Sequence, residues 1–372
     1  MPLLTRTVNA PLIIEIRRGA LRDIAAILAN RLISSAGRVA VVVGPGLGER
    51  IVELVRPQLP SADFIAVTGG TLESALALGS KLQRRSYDAV VGIGGGRTLD
   101  TAKWAAARYG LPMVSIATSL AHDGFASPVA SLEHDGRRYS YGVHLPIAVI
   151  VDLEFVGRAP AAQSRAGIGD ALSNLSACAD WELAHCVRGE PVDGLALALS
   201  RAGAEALMNH PGSVRDESFL TTLGEALTLG GIAMSVCGSS RPCSGGCHEI
   251  SHALDELYAC PASHGEQVGL GALFCMFLRG DPNFRGVAAC LRRHGLPLRP
   301  AELGLTDEAF VRAVAHAPNT RPDRYTILEH LALTPREIAA KLEAYLEALA
   351  GIAAPIAPMP APARTRYGAN AR

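Results

Sequence analysis

Short apolar runs alternate with segments of helical pattern over the first 155 residues. The runs are rich in Val, Ile and Ala, and the segments between them carry apolar residues at spacings of three and four. These patterns predict strands at 12–16, 38–43, 64–67, 89–93, 113–116 and 147–151. They predict helices at 20–30, 47–57 and 71–84. Strands that alternate with helices favour a mostly parallel sheet with crossover helices.

The pattern changes twice beyond this region. Two strand-like runs between 127 and 144 flank a polar turn at 133–136, which predicts a hairpin. From 160 to 350, Ala and Leu at helical spacing dominate, and Gly and Pro separate the helices. We therefore expect an α/β, Rossmann-like N-terminal domain at 1–155 and an all-α C-terminal domain at 156–350. The Ala/Pro-rich tail at 351–372 has few large apolar groups, so we expect it to be disordered.

Composition and charge restrict the class of protein. A chain of 372 residues has room for two domains with a cleft between them. The 35 basic residues balance the 35 acidic ones and form no basic run, so nucleic acid is not an expected partner. Charges interrupt each apolar stretch before the ~20 residues that a membrane span needs, and the N-terminus lacks a secretory pattern. We expect a cytoplasmic homo-oligomer without membrane insertion.

The eight cysteines are most simply interpreted as reduced thiols in such a compartment. Cys243 and Cys247 precede His248 and could form a zinc–thiolate site. No second Cys pair at finger-like spacing accompanies them, which makes this the weaker of two metal-site hypotheses.

A glycine triplet indicates a nucleotide site. Gly94, Gly95 and Gly96 follow the predicted strand at 89–93 and lead directly into an Ala-rich helix. Without Cβ atoms, the backbone N–H groups can approach a pyrophosphate, and a helix N-terminus adds favourable partial positive charge. The alternative is a tight structural turn, but the position after a buried strand favours phosphate binding.

A second glycine cluster, at 44–48, lacks the spacing of the dinucleotide fingerprint, and we interpret it as a turn near the adenosine. No Asp or Glu follows Val43, where NAD-selective folds commonly hold the ribose diol. Arg50 lies a few residues further on. NADP(H) is therefore expected as a cofactor alongside NAD(H).

Three features of the helical half indicate a metal site: Asp170, the pair His248 and His252, and His264. The two paired histidines are four residues apart, which places them on one helix face. Such a pair alone is more often a surface or core feature, but small residues on both sides leave space for an ion and a substrate. Imidazole and carboxylate ligands suit one borderline divalent ion, zinc first, with nickel or iron as alternatives.

Several stretches between about residue 40 and residue 275 resemble one family in the same order. Residues 92–103 resemble the signature shared by dehydroquinate synthase, glycerol dehydrogenase and the iron-containing alcohol dehydrogenases. Residues 118–128 closely resemble a motif of the sn-glycerol-1-phosphate dehydrogenases, as do 166–170, 173–174, 180–184, 240–242, 251–255 and 264–269. This resemblance implies a dehydroquinate synthase-like fold and a metal-dependent, NAD(P)-linked dehydrogenase. The implied reaction interconverts sn-glycerol 1-phosphate and dihydroxyacetone phosphate, or close analogues of this polyol phosphate and ketose phosphate.

The resemblance also implies roles for individual residues. It implies metal ligation by Asp170, His248 and His264. It implies contact with the dinucleotide by Gly94, Gly95, Gly96, Asp100, Thr118 and Ser119. It places Asp123 and Ser127 near the nicotinamide and the substrate. In the expected reaction, a proton relay through His252 or water neutralises the alkoxide. The family usually has an acidic residue immediately before the first histidine, and Cys247 stands there in this chain.

Two other functions stay open at this point: a cyclase of the dehydroquinate synthase type, and a non-catalytic nucleotide-binding protein. The few Lys, Arg and Asn residues that can be placed around a substrate argue against the cyclase, and the intact ligand set argues against the second. Arg241, seven residues before His248, is a candidate ligand for the substrate phosphate. The alternative for Arg241 is a surface or interdomain arginine.

Overall fold

The computed structural model of the chain describes residues 8–30, 33–35, 37–258 and 260–352. The described strands, numbered β1 to β8, are Ile13–Arg17, Val39–Val43, Asp63–Ala66, Ala89–Gly94, Met113–Ala117, Val129–His134, Arg137–Gly142 and Ala148–Asp152. The first five described helices, α1 to α5, are Ile24–Asn30, Gly48–Val55, Leu72–Leu82, Gly96–Arg108 and Leu153–Val156. The remaining described helices, α6 to α14, are Ala161–Arg188, Gly194–Asn209, Glu217–Cys237, Gly246–Tyr258, His264–Arg279, Phe284–Arg293, Asp307–His316, Ile327–Leu331 and Pro335–Ala350.

The N-terminal half is a parallel sheet with the strand order β1-β8-β5-β4-β2-β3 in the described part of the chain. β2 and β4 are buried along their whole length, because helices cover both faces of the sheet. β6 and β7 pair separately as an antiparallel hairpin. The predicted strands, helices and hairpin of this half are confirmed, with ends that differ by one or two residues, except that the helix predicted at 20–30 begins as a 3-10 turn at Ala20–Asp23 before α1.

The C-terminal half is helical, as predicted. α6 contacts α7, α8, α9 and α10, and it is the central helix of this half. One apolar core runs from the sheet into these helices. α8 is long and apolar enough to span a membrane by length and composition alone, but 67% of its most apolar window is buried inside the fold. Such burial is typical of a core helix.

The polypeptide passes from sheet to helices between Asp152, where β8 ends, and Ala161, where α6 begins. The domain division at 155/156 stays a prediction. The prediction of a disordered tail at 351–372 falls outside the described residues from 353 onwards.

Candidate metal centre and nucleotide turn

The glycine turn lies at the carboxyl edge of the parallel sheet. β4 ends at Gly94, and α4 begins at Gly96 after the N-cap residue Gly95, which offers no side-chain cap. Thr118 donates its backbone N–H to the Gly94 carbonyl at 3.1 Å, so the end of β5 closes against the turn. Ser119 follows it; a Cβ on Gly95 would lie 3.1 Å from the Ser119 Oγ. Five of the predicted nucleotide contacts, the three glycines together with Thr118 and Ser119, therefore form one surface.

Asp100 lies beneath this surface. Its carboxylate is buried and pairs with the Lys103 ammonium at 2.9 Å, with both side chains almost fully enclosed. The Asp100 carboxylate is therefore not exposed for the predicted contact with the dinucleotide. In the structure it is the buried counter-ion of Lys103.

Lys103, on α4, binds the loop that leads from β5 to the hairpin. Its ammonium donates to the carbonyl oxygens of Gly124, Ser127 and Val129. Ser127, a predicted nicotinamide contact, is buried, and its Oγ lies 3.4 Å from the Val129 carbonyl. The buried cation thereby fixes the loop that carries Asp123 and Ser127.

Asp170, His248 and His264 come together from three helices, α6, α9 and α10. One ligand atom from each lies within 4.8 Å of the other two. Asp170 Oδ1 is 4.0 Å from His248 Nε2 and 3.7 Å from His264 Nε2. Its other oxygen, Oδ2, accepts the backbone N–H of Asp123 at 2.8 Å, so Oδ1 is left to face the imidazoles. The sequence interpretation that grouped these three residues agrees with this geometry.

Glycines beside the ligand residues explain how the helices approach so closely. A Cβ on Gly169, which precedes Asp170, would lie 2.1 Å from the Gly265 carbonyl oxygen. A Cβ on Gly265, which follows His264, would lie 1.8 Å from the Ala166 carbonyl oxygen. α6 and α10 are therefore in direct backbone contact at the point where the carboxylate and the imidazole meet.

The surroundings keep both imidazoles neutral. Burial lowers the pKa of His248 well below its ordinary value, and electrostatic coupling to the His264 imidazole, followed by the positive charge of Arg321, lowers it further. The pKa of His264 is shifted in the same direction, chiefly by desolvation, although 41% of its side chain is exposed. Burial, and then the Asp123 carboxylate, raise the pKa of Asp170. Neutral imidazoles with free lone pairs, beside a buried carboxyl group, are a donor set that fits a divalent cation.

Cys247 lies behind this centre. Its Sγ is 3.3 Å from His248 Nδ1 and 3.9 Å from the Ser173 carbonyl oxygen. Burial raises the pKa of the Cys247 thiol to about 12, so it stays protonated. All eight cysteines are unpaired, and the three-donor cluster found among the described residues contains neither Cys243 nor Cys247. The geometry therefore favours the histidine site over the zinc–thiolate alternative.

His252 lies one helical turn beyond His248 on α9. Its Nε2 is 3.0 Å from the Arg321 guanidinium, and burial, followed by Arg321 and Arg324, lowers the pKa of His252 to about 4. Because a guanidinium only donates hydrogen bonds, Nε2 accepts and Nδ1 carries the ring proton. His252 is thus a neutral imidazole close to the candidate ligands.

Arg241, the predicted phosphate ligand, has a guanidinium group that is already bonded to other parts of the protein. Its side chain is buried, and its Nε donates to Glu190 Oε1 at 2.6 Å while a second nitrogen pairs with Oε2. The third guanidinium nitrogen donates to the Tyr325 carbonyl at 3.0 Å. Each nitrogen of Arg241 therefore has a protein partner in the structure.

Sequence reasoning missed Arg321 and Arg324. They lie about seventy residues after the paired histidines, in a loop with no motif, so no local pattern connects them with the metal centre. A search for arginines after residue 275, where the family resemblance ends, would have included both, but the sequence offers no reason to prefer them over the other arginines of that region.

Comparisons with known proteins agree with this architecture. Residues 15–160 match the family described as iron-containing alcohol dehydrogenase. A glycerol-1-phosphate dehydrogenase [NAD(P)+] of Methanosarcina barkeri is 39% identical over 283 residues, which are 76% of this chain and 79% of that protein. The enzyme of the same name from Hyperthermus butylicus is 37% identical over 321 residues, 85% of this chain and 90% of that protein.

Solved structures share the fold. A probable glycerol dehydrogenase from Sinorhizobium meliloti superimposes with a TM-score of 0.76 at 24% identity, over 94% of this chain and 100% of the other. Glycerol dehydrogenase from Schizosaccharomyces pombe gives a TM-score of 0.76 at 22% identity, over 93% and 91% of the two chains. The two glycerol-1-phosphate dehydrogenases, in contrast, are 39% and 37% identical to this chain over 76% and 85% of its length. The chain therefore belongs to the family of the glycerol-1-phosphate dehydrogenases.

Proposed function

We propose that the chain catalyses the NAD(P)-dependent interconversion of sn-glycerol 1-phosphate and dihydroxyacetone phosphate, or of close analogues. The observation that carries the proposal is the convergence of Asp170, His248 and His264 in a chain with a glycine turn at the sheet edge. The names of the relatives, glycerol-1-phosphate dehydrogenase [NAD(P)+], support the substrate and the cofactor.

The three convergent side chains would hold one divalent ion, zinc first, with nickel and iron as alternatives. When bound, such an ion supplies Lewis-acid polarisation of the substrate oxygen. Asp170 offers Oδ1 because the Asp123 N–H holds Oδ2 at 2.8 Å. His248 and His264 are in the neutral form that ligation requires.

The remaining proposed roles concern position and proton transfer. Gly94, Gly95 and Gly96 would receive the pyrophosphate on backbone N–H groups, with Thr118 and Ser119 beside them. Asp123 and Ser127, on the loop held by Lys103, would border the nicotinamide and the substrate. His252 would donate a hydrogen bond from Nδ1 to the substrate oxygen or to a water beside it, because its Nε2 accepts from Arg321, and the proton that neutralises the alkoxide would come through that water.

Cofactor choice follows from the residues after β2. No carboxylate directly follows Val43 at the end of β2, and Arg50 is exposed on α2 beside Glu49, so a 2′-phosphate would meet no acidic residue at the strand end itself. NADPH should therefore support turnover within about tenfold of NADH, roughly 1.4 kcal/mol in transition-state free energy. The proposal also includes a cytoplasmic location and self-association. Self-association is supported by two exposed apolar side chains at one edge of the sheet, Ile14 within the edge strand β1 and Leu12 just before it.

The test is a screen of purified, metal-loaded protein against dihydroxyacetone phosphate, related ketose phosphates and dihydroxyacetone, with NADH or NADPH absorbance as the readout. Stoichiometric oxidation of reduced cofactor with dihydroxyacetone phosphate is the expected result. A cyclase would return its hydride within one turnover and leave net cofactor unchanged. A protein that binds NADPH but turns over none of these ketones would contradict the proposed function.

A further inference from the structure

Arg321 and Arg324 lie between α12 and α13, against the helix that carries the paired histidines. Arg321 donates to His252 Nε2 at 3.0 Å, and it lies 3.4 Å from Ser240 Oγ and 3.3 Å from Ser244 Oγ. Arg324 donates to Ser240 Oγ at 3.1 Å and to the Ser244 carbonyl. The protein partners of both guanidinium groups are therefore neutral.

Other enclosed cations of this protein are neutralised directly. Lys103 pairs with Asp100, Arg241 with Glu190, and Arg279 with Asp180. Among the described residues, no carboxylate oxygen forms an ion pair with Arg321 or Arg324. Glu249 interacts favourably with both when it is ionised, but burial raises the pKa of its carboxyl group to about 8, and its Oε2 accepts a hydrogen bond from Thr326 Oγ1 at 3.1 Å instead.

Two neighbouring like charges in a partly buried loop cost free energy. Desolvation, and then the positive charge of Arg321, lower the pKa of Arg324 to about 10. Both arginines stay charged at neutral pH, so the cost is not relieved by loss of a proton. A site of this kind is stabilised when an anion binds to it, because the anion supplies the missing counter-charge.

The pair is held in a fixed relation to the metal centre. Asp180, which is fully buried, accepts the backbone N–H of Gly246 at 2.9 Å and that of Ile327 at 2.9 Å. Gly246 begins the helix that carries His248, and Ile327 begins the helix just after Arg324. One carboxylate thus joins the histidine helix to the arginine loop.

We propose that Arg321 and Arg324, with the hydroxyl groups of Ser240 and Ser244, form the site that binds the phosphate group of the substrate. The inference deepens the proposed function and rests on it for the identity of the substrate. Arg321 contacts His252, one turn (~5.4 Å) along the helix from His248. A ketone at the metal centre and a phosphate on the arginines are therefore separated by a distance that a short ester link can span. Guanidinium groups favour phosphate because their planar donors match its oxygens in pairs.

The test uses Arg321→Gln, Arg324→Gln and the double variant, each as metal-loaded protein. With dihydroxyacetone phosphate, the double variant should raise KM by about 100-fold or more, as expected when a desolvated charge pair is lost. With unphosphorylated dihydroxyacetone, kcat/KM of Arg324→Gln should change less than about twofold, since that ketone does not use the site. Arg321→Gln also loses the hydrogen bond to His252, so its loss with the unphosphorylated ketone should be present but much smaller than its loss with dihydroxyacetone phosphate. Arg336→Gln, an exposed arginine on α14, is the matched charge control and should behave as the wild type.

A binding readout keeps the test independent of turnover. Calorimetric titration with inorganic phosphate should show binding to the wild type, weaker binding to each single variant, and none to the double variant. Arg321→Lys and Arg324→Lys should retain part of the affinity, and they decide the question if the double variant does not fold. Unchanged metal content and NADPH affinity would exclude a general disturbance of the cleft.

The two proposals fail in different ways. If the wild type reduces dihydroxyacetone phosphate while the variants keep the wild-type KM and phosphate affinity, the arginine site is wrong and the function stands. If the wild type reduces no ketose phosphate, the function is wrong, and the phosphate titrations still decide the arginine site. Equal losses with the phosphorylated and the unphosphorylated ketone would also overturn the arginine site.

Discussion

At the nucleotide end of the molecule, the candidate binding surface is the backbone of three consecutive residues between one strand and one helix. At the metal end, it is made of side chains that arrive from α6, α9 and α10, with two arginines from a loop beyond them. The nucleotide surface requires the lack of side chains, since Cβ atoms on the glycines would obstruct the phosphates. The metal site requires particular side-chain atoms at particular positions. The two ends should therefore respond to opposite kinds of substitution.

The largest effect is expected from a truncation at the metal end. His264→Ala should abolish tight metal binding and reduce activity by at least about 1,000-fold, ~4 kcal/mol, because two remaining donors cannot hold the ion in place. Metal analysis after dialysis, together with kcat/KM, measures both losses. His316→Ala on α12 removes a histidine that pairs with Glu256, and it should leave both quantities unchanged. Full metal occupancy in His264→Ala would remove the main distinction between the two ends.

A second prediction concerns the acid sensitivity of the helical half. His294 is buried against Phe219, with ring centroids 4.7 Å apart, and its pKa is lowered from 6.5 to about 4, chiefly by burial. The unfolded chain therefore takes up a proton between about pH 6.5 and pH 4 that the folded chain excludes, and stability falls as the pH falls through that range. Between pH 7 and pH 5, His294 should contribute a loss of about 2 kcal/mol.

His294→Leu removes this titration while keeping an apolar side chain in the site. Urea unfolding of the two proteins at pH 7 and pH 5 should show a smaller acid loss in the variant, by about 2 kcal/mol. An identical pH dependence in both proteins would mean that His294 does not limit the acid stability of this half.

The smallest effect is expected from an addition at the nucleotide end. Gly95→Ala places a methyl group 3.1 Å from Ser119 Oγ, a side-chain atom that can move, so the fold should tolerate it. The same methyl group stands where the pyrophosphate would approach, and the Kd for NADPH should rise about tenfold, ~1.4 kcal/mol. Gly194→Ala is the control, because a Cβ there meets nothing within 4 Å. Fluorescence titration with unchanged Kd for Gly95→Ala would show that the phosphates do not approach this residue.

The contrast also explains what the sequence could predict. The strands and the glycine turn could be predicted because each depends on residues that are neighbours in sequence. A buried strand such as Val39–Val43, for example, is visible as an uninterrupted run of apolar residues. Donor chemistry indicated a metal site at Asp170, His248, His252 and His264, and the family resemblance selected the three ligands, since nothing in their spacing indicates that α6 and α10 touch at Gly169 and Gly265.

Residues whose partners are remote in sequence could not be assigned in the same way. The environment of Arg241 depends on Glu190, fifty-one residues earlier, and that of Arg321 depends on His252, sixty-nine residues earlier. A charged residue acquires its role from what the fold places beside it, and that information was not contained in the local pattern. Asp100 illustrates the same limit over a shorter distance, since only burial shows that its carboxylate serves Lys103.

The three carbonyl oxygens and one carboxylate around the Lys103 ammonium resemble the oxygen cage that many proteins build for a monovalent ion. Here the cation is covalently attached to α4, so it is always present and cannot exchange with the salt in solution. The loop that carries Asp123 and Ser127 is consequently ordered by a charge that the chain itself provides. Replacing potassium with sodium or with a bulky organic cation in the buffer should leave this loop intact, because the cage is already filled.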